Sequence, residues 1–264
     1  MNTPHALPRT ITAAAITAAL ALCAPATTAL ADHADGGWHQ DGLRLDAADN
    51  ARVDAFAAEA REAERSISPQ VRAAAWLTGA ELVGFDARLK SPDSLKRKVA
   101  TAMEETPGRS VEAALATIND AVRYTLQWPD ARYTAGVAAA SSHLASWGND
   151  SIRWKNTWGA AQGYKAVNSA WAAPRSGMRF EIQFHTPAGK RAQEETHKLY
   201  EEQRLPGTSP TRRKELQEQQ DALFAAVPVP EGADRLTAPT PAPATTPSRP
   251  QPADAPAPAP AGRP

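Results

Sequence analysis

With 264 residues, the chain can bury one good-sized core and still have residues left over. Its 29 basic and 29 acidic side chains cancel, which excludes a general attraction to nucleic acid or anionic lipid and makes any functional charge a local matter. The first element is a secretory signal: Arg9 precedes an apolar run from Ile11 to Leu22, and Ala29-Leu30-Ala31 is a small-x-small cleavage pattern. The mature chain is then expected from Asp32. The run is shorter than the ~20 residues that span a bilayer, so secretion without a membrane anchor is expected. The one cysteine, Cys23, lies inside this segment. The mature chain is therefore expected to have no thiol, as suits an oxidising exterior.

Residues 46–66, rich in Ala, Arg and Glu, predict a helix, and Ser68-Pro69 predicts the start of a second. An extended piece over Val83–Lys90 follows. Ser91 is a good N-cap with Pro92 in the first turn, and Leu95, Val99, Ala102 and Met103 recur at helical spacing. Ser110 caps a helix ending near Asn119, Val122–Trp128 reads as a strand, and Thr134–Trp147 as a helix. Ser151–Trp158, Tyr164–Ala172 and Met178–Thr186 read as three strands separated by Gly or Pro. Thr186-Pro187 opens a charged helix to Gln203, and another runs from Pro210 to Ala226. The expected class is α/β or α+β: one domain over 32–227 with a mixed β-sheet flanked by helices. Twelve of the 23 prolines fall after Val227, so 228–264 reads as an extended, disordered Pro/Ala-rich tail.

Four segments carry candidate chemistry. In the strand 178–186, Phe180, Ile182 and Phe184 point one way and Glu181, Gln183 and His185 the other. The polar side meets either bulk water or a cleft. Asp120, where a helix gives way to a strand, is either a turn residue or a metal ligand; Mg2+ needs only one or two carboxylates plus waters and phosphates. Arg88, Lys90, Ser94 and Lys98 surround a helix start, where free N–H groups and cations favour an anion; Lys96 and Arg97 read as a solvated face. Tyr164, sharing a strand side with Asn168, is either a stacking surface for a base or a core residue. An acid for a metal and cations for phosphates together suit phosphoryl-type transfer. Phosphate-loop, dinucleotide, metalloprotease and serine-hydrolase motifs are absent from the sequence, and Glu194 and His197 read as surface polars.

In this order, Arg88-x-Lys90-x-x-x-Ser94-x-x-x-Lys98, Asp120, Gly163-Tyr164 and Glu181-Ile182-Gln183 resemble the RelA/SpoT-type nucleotide pyrophosphokinases (alarmone synthetases), over roughly residues 80–203. The resemblance implies a nucleotidyltransferase-like sheet and transfer of the β,γ-diphosphate of ATP to the 3′-hydroxyl of a purine nucleotide, releasing AMP. It implies that Arg88 stacks on or clamps the donor and that Lys90, Ser94 and Lys98 bind its phosphates. Asp120 and Glu181 would hold Mg2+ or another divalent cation, and Glu181 would accept the hydroxyl proton. Tyr164 would stack on the acceptor, with Lys155, Asn168 and Gln183 as polar neighbours. Three departures bear on acceptor specificity rather than on the reaction. Ala166 and Asn168 stand where Ser and His are usual, His185 where Arg is usual, and Thr125 replaces an Arg whose place Arg123 takes over. With the signal, this is similar to the secreted ATP:nucleotide 3′-pyrophosphokinases, which accept adenine and guanine mono-, di- and triphosphates. The expected partners are ATP and purine nucleotides, with no nucleic acid, and the expected state is a monomer. Two other functions fit the same residues: a toxin-like nucleotidyl- or pyrophosphotransferase acting on RNA or protein, and a non-catalytic nucleotide- or wall-binding module.

Overall fold

A computed structural model describes residues 36–203, 205 and 207–240. The expected signal over 1–31 and the expected tail over 241–264 lie outside the described residues. A hairpin of β1 (Trp38–Gln40) and β2 (Leu43–Leu45) turns at Asp41-Gly42, both at positive φ. It leads into α1 (Ala47–Thr78), where Asp46 accepts a hydrogen bond from the Asp49 N–H as N-cap and Gly79, at φ 64°, ends the helix. The expected break at Ser68-Pro69 is corrected: Pro69 lies inside one 32-residue helix. A proline removes one backbone bond and crowds the turn before it. Here the buried stripe Val53, Ala57, Ala60, Glu64, Ile67, Val71 and Ala74 runs on at three- and four-residue spacing through the proline, and packing holds the helix together.

A five-stranded sheet follows, in the order β3 (Glu81–Val83), β4 (Val122–Gln127), β7 (Arg179–His185), β6 (Val167–Ala172), β5 (Asp150–Asn156). Only β4 and β7 run parallel; the other neighbours are antiparallel. Between strands come α2 (Pro92–Glu104), a short α3 (Val111–Leu115) and α4 (Asp130–Ser146), and after the last strand follow α5 (Pro187–Gln203) and α6 (Pro210–Ala225). The mixed α/β class is as expected, and α2 has the expected Ser91 cap, Pro92 start and buried Leu95 and Val99. Lys96 departs from the expected solvated face. It is buried, and its ammonium reaches Asp54 of α1 at 3.0 Å, tying the two helices together.

One sheet face is the core. Tyr124, Leu126, Val167, Trp171, Phe180, Ile182 and Phe184 are all 2% exposed or less. Trp128, just past β4, is fully buried and donates from Nε1 to the Thr78 carbonyl. Helix α4 comes so close that a Cβ at Gly136 would lie 2.5 Å from that indole nitrogen, so this contact requires glycine.

The disordered reading of 228–240 is also corrected. The Asn156 amide reaches the carbonyls of Ala233, Asp234 and Leu236, Trp154 Nε1 donates to Leu236 O, and Thr134 Oγ1 donates to Glu231 O. Prolines and small residues form little regular structure here beyond one 3-10 turn, Ala233–Arg235. Backbone carbonyls need only donors, and side chains from β5 and α4 supply them.

Candidate active site

The register of β7 with its neighbours decides which side chains share a face. Arg123, Glu181, Ala170 and Arg153 lie level across β4, β7, β6 and β5. Thr125, Gln183, Asn168 and Lys155 form the next row. Because strand side chains alternate, both rows lie opposite the core face. That polar face is covered: Glu181 is 5% exposed, and Gln183, Asn168 and His185 are buried. Of the two alternatives left by the sequence, bulk water does not meet the β7 and β6 part of this face, while Arg153 at the β5 end is exposed.

Asp120 lies just before β4. Residues 88–90 run antiparallel beside it, with Lys90 N donating to Ala121 O and Arg123 N to Arg88 O. This pairing brings Lys90 Nζ to 3.1 Å from Asp120 Oδ2, off the line of a good hydrogen bond. Helix α2 brings Lys98 Nζ to 2.8 Å from Oδ1. Burial alone would raise the proton affinity of Asp120, but the two ammoniums outweigh it and its pKa falls below the ordinary carboxylate value. Burial also lowers the Lys90 pKa, against the opposing pull of Asp120. Glu181 behaves oppositely. Burial, then the charge of Asp120, raises its pKa, and Gln183 Nε2 approaches it at 3.3 Å. The two acids therefore feel one another across the β4–β7 pair, one neutralised by lysines and one not.

The other residues expected to bind the donor are engaged within the protein. Arg88 Nε contacts Glu64 Oε1 at 2.6 Å, and its guanidinium lies 4.3 Å from the Phe85 ring, on which Arg72 also sits at 4.9 Å. Ser94 is held by the Ser91 cap, donating its N–H to Ser91 Oγ and accepting the Ser91 hydroxyl at 2.9 Å.

Of the residues expected to bind the acceptor, Tyr164 is in the loop before β6, not on the strand as expected. It is half-buried, with its ring edge-to-face with Phe224 of α6. Its hydroxyl meets Asn168 Oδ1 at 3.0 Å and His185 Nε2 at 2.9 Å. Burial, then Glu181, pushes its pKa well above the ordinary tyrosine value, so the ring lies within the field of that acid. Lys155 is half-buried, and burial followed by Arg153 lowers its pKa.

Three residues escaped the sequence reading. Gln193 of α5 contacts Gln183 Oε1 at 3.4 Å, and Lys190 reaches both Gln193 Oε1 at 2.8 Å and Glu194 at 3.3 Å. Glu194 is thus paired with Lys190. Polar residues at i and i+3 in the helix straight after the Glu-x-Gln strand were the available signal. Glu64 had a clearer one, being the single acid in the buried stripe of α1.

Among the described residues, no group of three or more His, Cys, Asp or Glu could hold a metal. Two carboxylates, Asp120 and Glu181, with Asp120 Oδ2 short of a hydrogen bond, are hard oxygen donors that fit Mg2+ sharing its sphere with water and phosphate.

No protein-family model matches the sequence, and no curated protein does. Solved structures similar to the chain include the small alarmone synthetase 1 from Bacillus subtilis bound to its product pppGpp (16% identity, TM-score 0.46, covering 66% of this chain and 92% of that one). The same synthetase in a second structure gives 16% identity and TM-score 0.48, covering 66% and 91%. A GTP pyrophosphokinase family protein from Streptococcus pneumoniae gives 14% and 0.46, covering 65% and 87%. The chemistry of the site rests on its own residues.

Proposed function

We propose that the chain is a secreted pyrophosphokinase that transfers the β,γ-diphosphate of ATP to the 3′-hydroxyl of adenine or guanine nucleotides. One observation carries this reading. Asp120, just before β4, and Glu181, on the parallel neighbour β7, differ in their partners: Lys90 and Lys98 face the first, while the second is buried with a 3.3 Å contact from the Gln183 amide. A donor triphosphate would exchange the lysines from Asp120 onto its own oxygens, with Arg88 and Arg123 adding charge and Ser94 a hydroxyl. Asp120 and Glu181 would then hold the divalent cation, which supplies charge neutralisation on the transferring phosphates.

Tyr164 would stack on the acceptor base, and Lys155, Asn168 and Gln183 would orient the ribose and phosphates. The acceptor 3′-oxygen attacks the β-phosphorus of ATP. The bond from that phosphorus to the α,β-bridging oxygen breaks, AMP leaves, and the hydroxyl proton passes to Glu181, whose raised pKa suits it to accept. Positioning and charge neutralisation supply the acceleration, with no covalent enzyme intermediate.

The test is labelled ATP with each purine nucleotide and Mg2+, resolved by thin-layer chromatography and mass. A small-molecule product carrying a 3′-diphosphate, with AMP released, is expected. Label appearing only on added RNA or protein would replace this reading with a macromolecular transferase. ATP bound but never cleaved would replace it with a binding module.

A further inference from the structure

Two of the positions that depart from the resemblance, Asn168 and His185, lie on different strands but touch the same atom. The Tyr164 hydroxyl donates its one proton to Asn168 Oδ1 at 3.0 Å. Its 2.9 Å contact with His185 Nε2 must then be a donation from the imidazole, which places the histidine proton on Nε2. His185 Nδ1 is left as a bare lone pair, and it is the ring nitrogen without a hydrogen-bond partner. A buried lone pair is tolerated better than a buried N–H, which agrees with this tautomer.

The ring is held as well as the hydroxyl. It meets His185 at 5.6 Å and Phe224 at 5.7 Å, both edge-to-face, so neighbours constrain it from two directions. His185 is fully buried, and Asn168 is level with Gln183, which contacts Glu181. Tyr164 is thereby referenced to the strand that carries the acid.

We infer that His185 is a positioning residue which, with Asn168, fixes the Tyr164 hydroxyl and so sets the ring plane offered to the acceptor base. This inference rests on the proposed reading of the site. Burial, then Lys190 and Arg123, lowers the His185 pKa to about 3, so the imidazole stays a neutral donor across the working pH range.

The experiment compares Tyr164→Phe, His185→Phe and the double variant, each checked for an unchanged circular dichroism spectrum and melting curve. Each single change removes one end of the same hydrogen bond and keeps a ring. The acceptor KM is expected to rise about 3- to 10-fold in each, with the ATP KM within about twofold of wild type and the double variant no worse than Tyr164→Phe, which already lacks the hydroxyl's bonds to both His185 and Asn168. His185→Gln, which retains an N–H donor, is expected to recover most of the loss. Multiplying losses in the double variant, or an ATP KM that rises in step, would overturn the inference. If His185→Phe fails to fold, an unchanged acceptor KM in Tyr164→Phe overturns it alone. A wild-type chain that forms no product removes the proposed function and this role with it, whereas an active wild type with independent variants removes only the role.

Discussion

Toward β4, the side chains around Glu181 are held by ion pairs; toward β6, they are held by neutral hydrogen bonds. Lys90 and Lys98 face Asp120, and Arg88 faces Glu64. On the other side, Tyr164 is hydrogen-bonded to Asn168 and His185 without a formal charge. The charged flank must exchange existing partners to receive an anionic ligand, so occupancy there is a competition between protein carboxylates and phosphates. The neutral flank is already arranged and has only to receive a planar ring. A donor triphosphate suits the first and a nucleobase the second.

The largest expected effects come from removing the two acids, which are chemically alike and electrostatically opposite. Glu181→Gln should keep the fold and lose almost all transfer, since a needed metal carboxylate is worth several kcal/mol in the transition state. Its pKa is raised in the folded state, so its charged form opposes folding. That opposition is absent below the unfolded carboxylate pKa and grows as pH rises through the folded value. At neutral pH, Glu181→Gln should therefore melt no lower than wild type. Asp120 has a lowered pKa, and its contribution to stability is present above the unfolded value and lost as pH falls through the folded one. Asp120→Asn leaves Lys90, with its side chain 5% exposed, facing a neutral amide. It should lose transfer and also about 3–5 kcal/mol of stability, the usual result of breaking a buried pair. Thermal melts of both variants at pH 7 check the contrast; equal melting temperatures would erase it.

Much of this arrangement was legible before the structure. The alternation in 178–186 correctly separated Phe180, Ile182 and Phe184 from Glu181, Gln183 and His185, because strand geometry imposes a period of two. The Ser91 cap and Leu95/Val99 stripe placed α2 for equally local reasons. What stayed hidden was non-local. That β7 lies beside β4, about sixty residues away in sequence, is set by sheet assembly, and so is the covering of the polar face. The lysine contacts to Asp120 depend on the 88–90 bridge to β4, which no period encodes. Pro69 misled because local propensity was weighed without the buried stripe on either side. The strap over 228–240 misled because its partners, Asn156 and Trp154, lie far back in the chain.

A middle-sized effect tests the neutral flank. Tyr164→Ala should cost about 1–3 kcal/mol in acceptor use, the worth of a lost base stack, and leave ATP affinity near wild type. Measuring KM for both substrates decides the matter. A fall in ATP affinity with acceptor use preserved would mean that the two flanks serve the opposite nucleotides.

The smallest effect probes the charged flank. Glu64 holds Arg88 at 2.6 Å, and although burial opposes it, hydrogen bonds from Arg88 and Ser68 lower its pKa overall. Stability from this pair should be present above the unfolded glutamate pKa and fade as acid is added. Glu64→Gln keeps an acceptor but removes the competing charge, at a stability cost of about 1–2 kcal/mol for the lost charge-assisted bond. If Arg88 must leave Glu64 to meet the donor, this variant should bind ATP slightly more tightly, by about two- to threefold, while its melting temperature falls. Titration calorimetry with ATP and Mg2+ gives the sign directly. Weaker binding would instead mean that Glu64 aims Arg88 at the donor, and that this part of the charged flank is as prearranged as the neutral one.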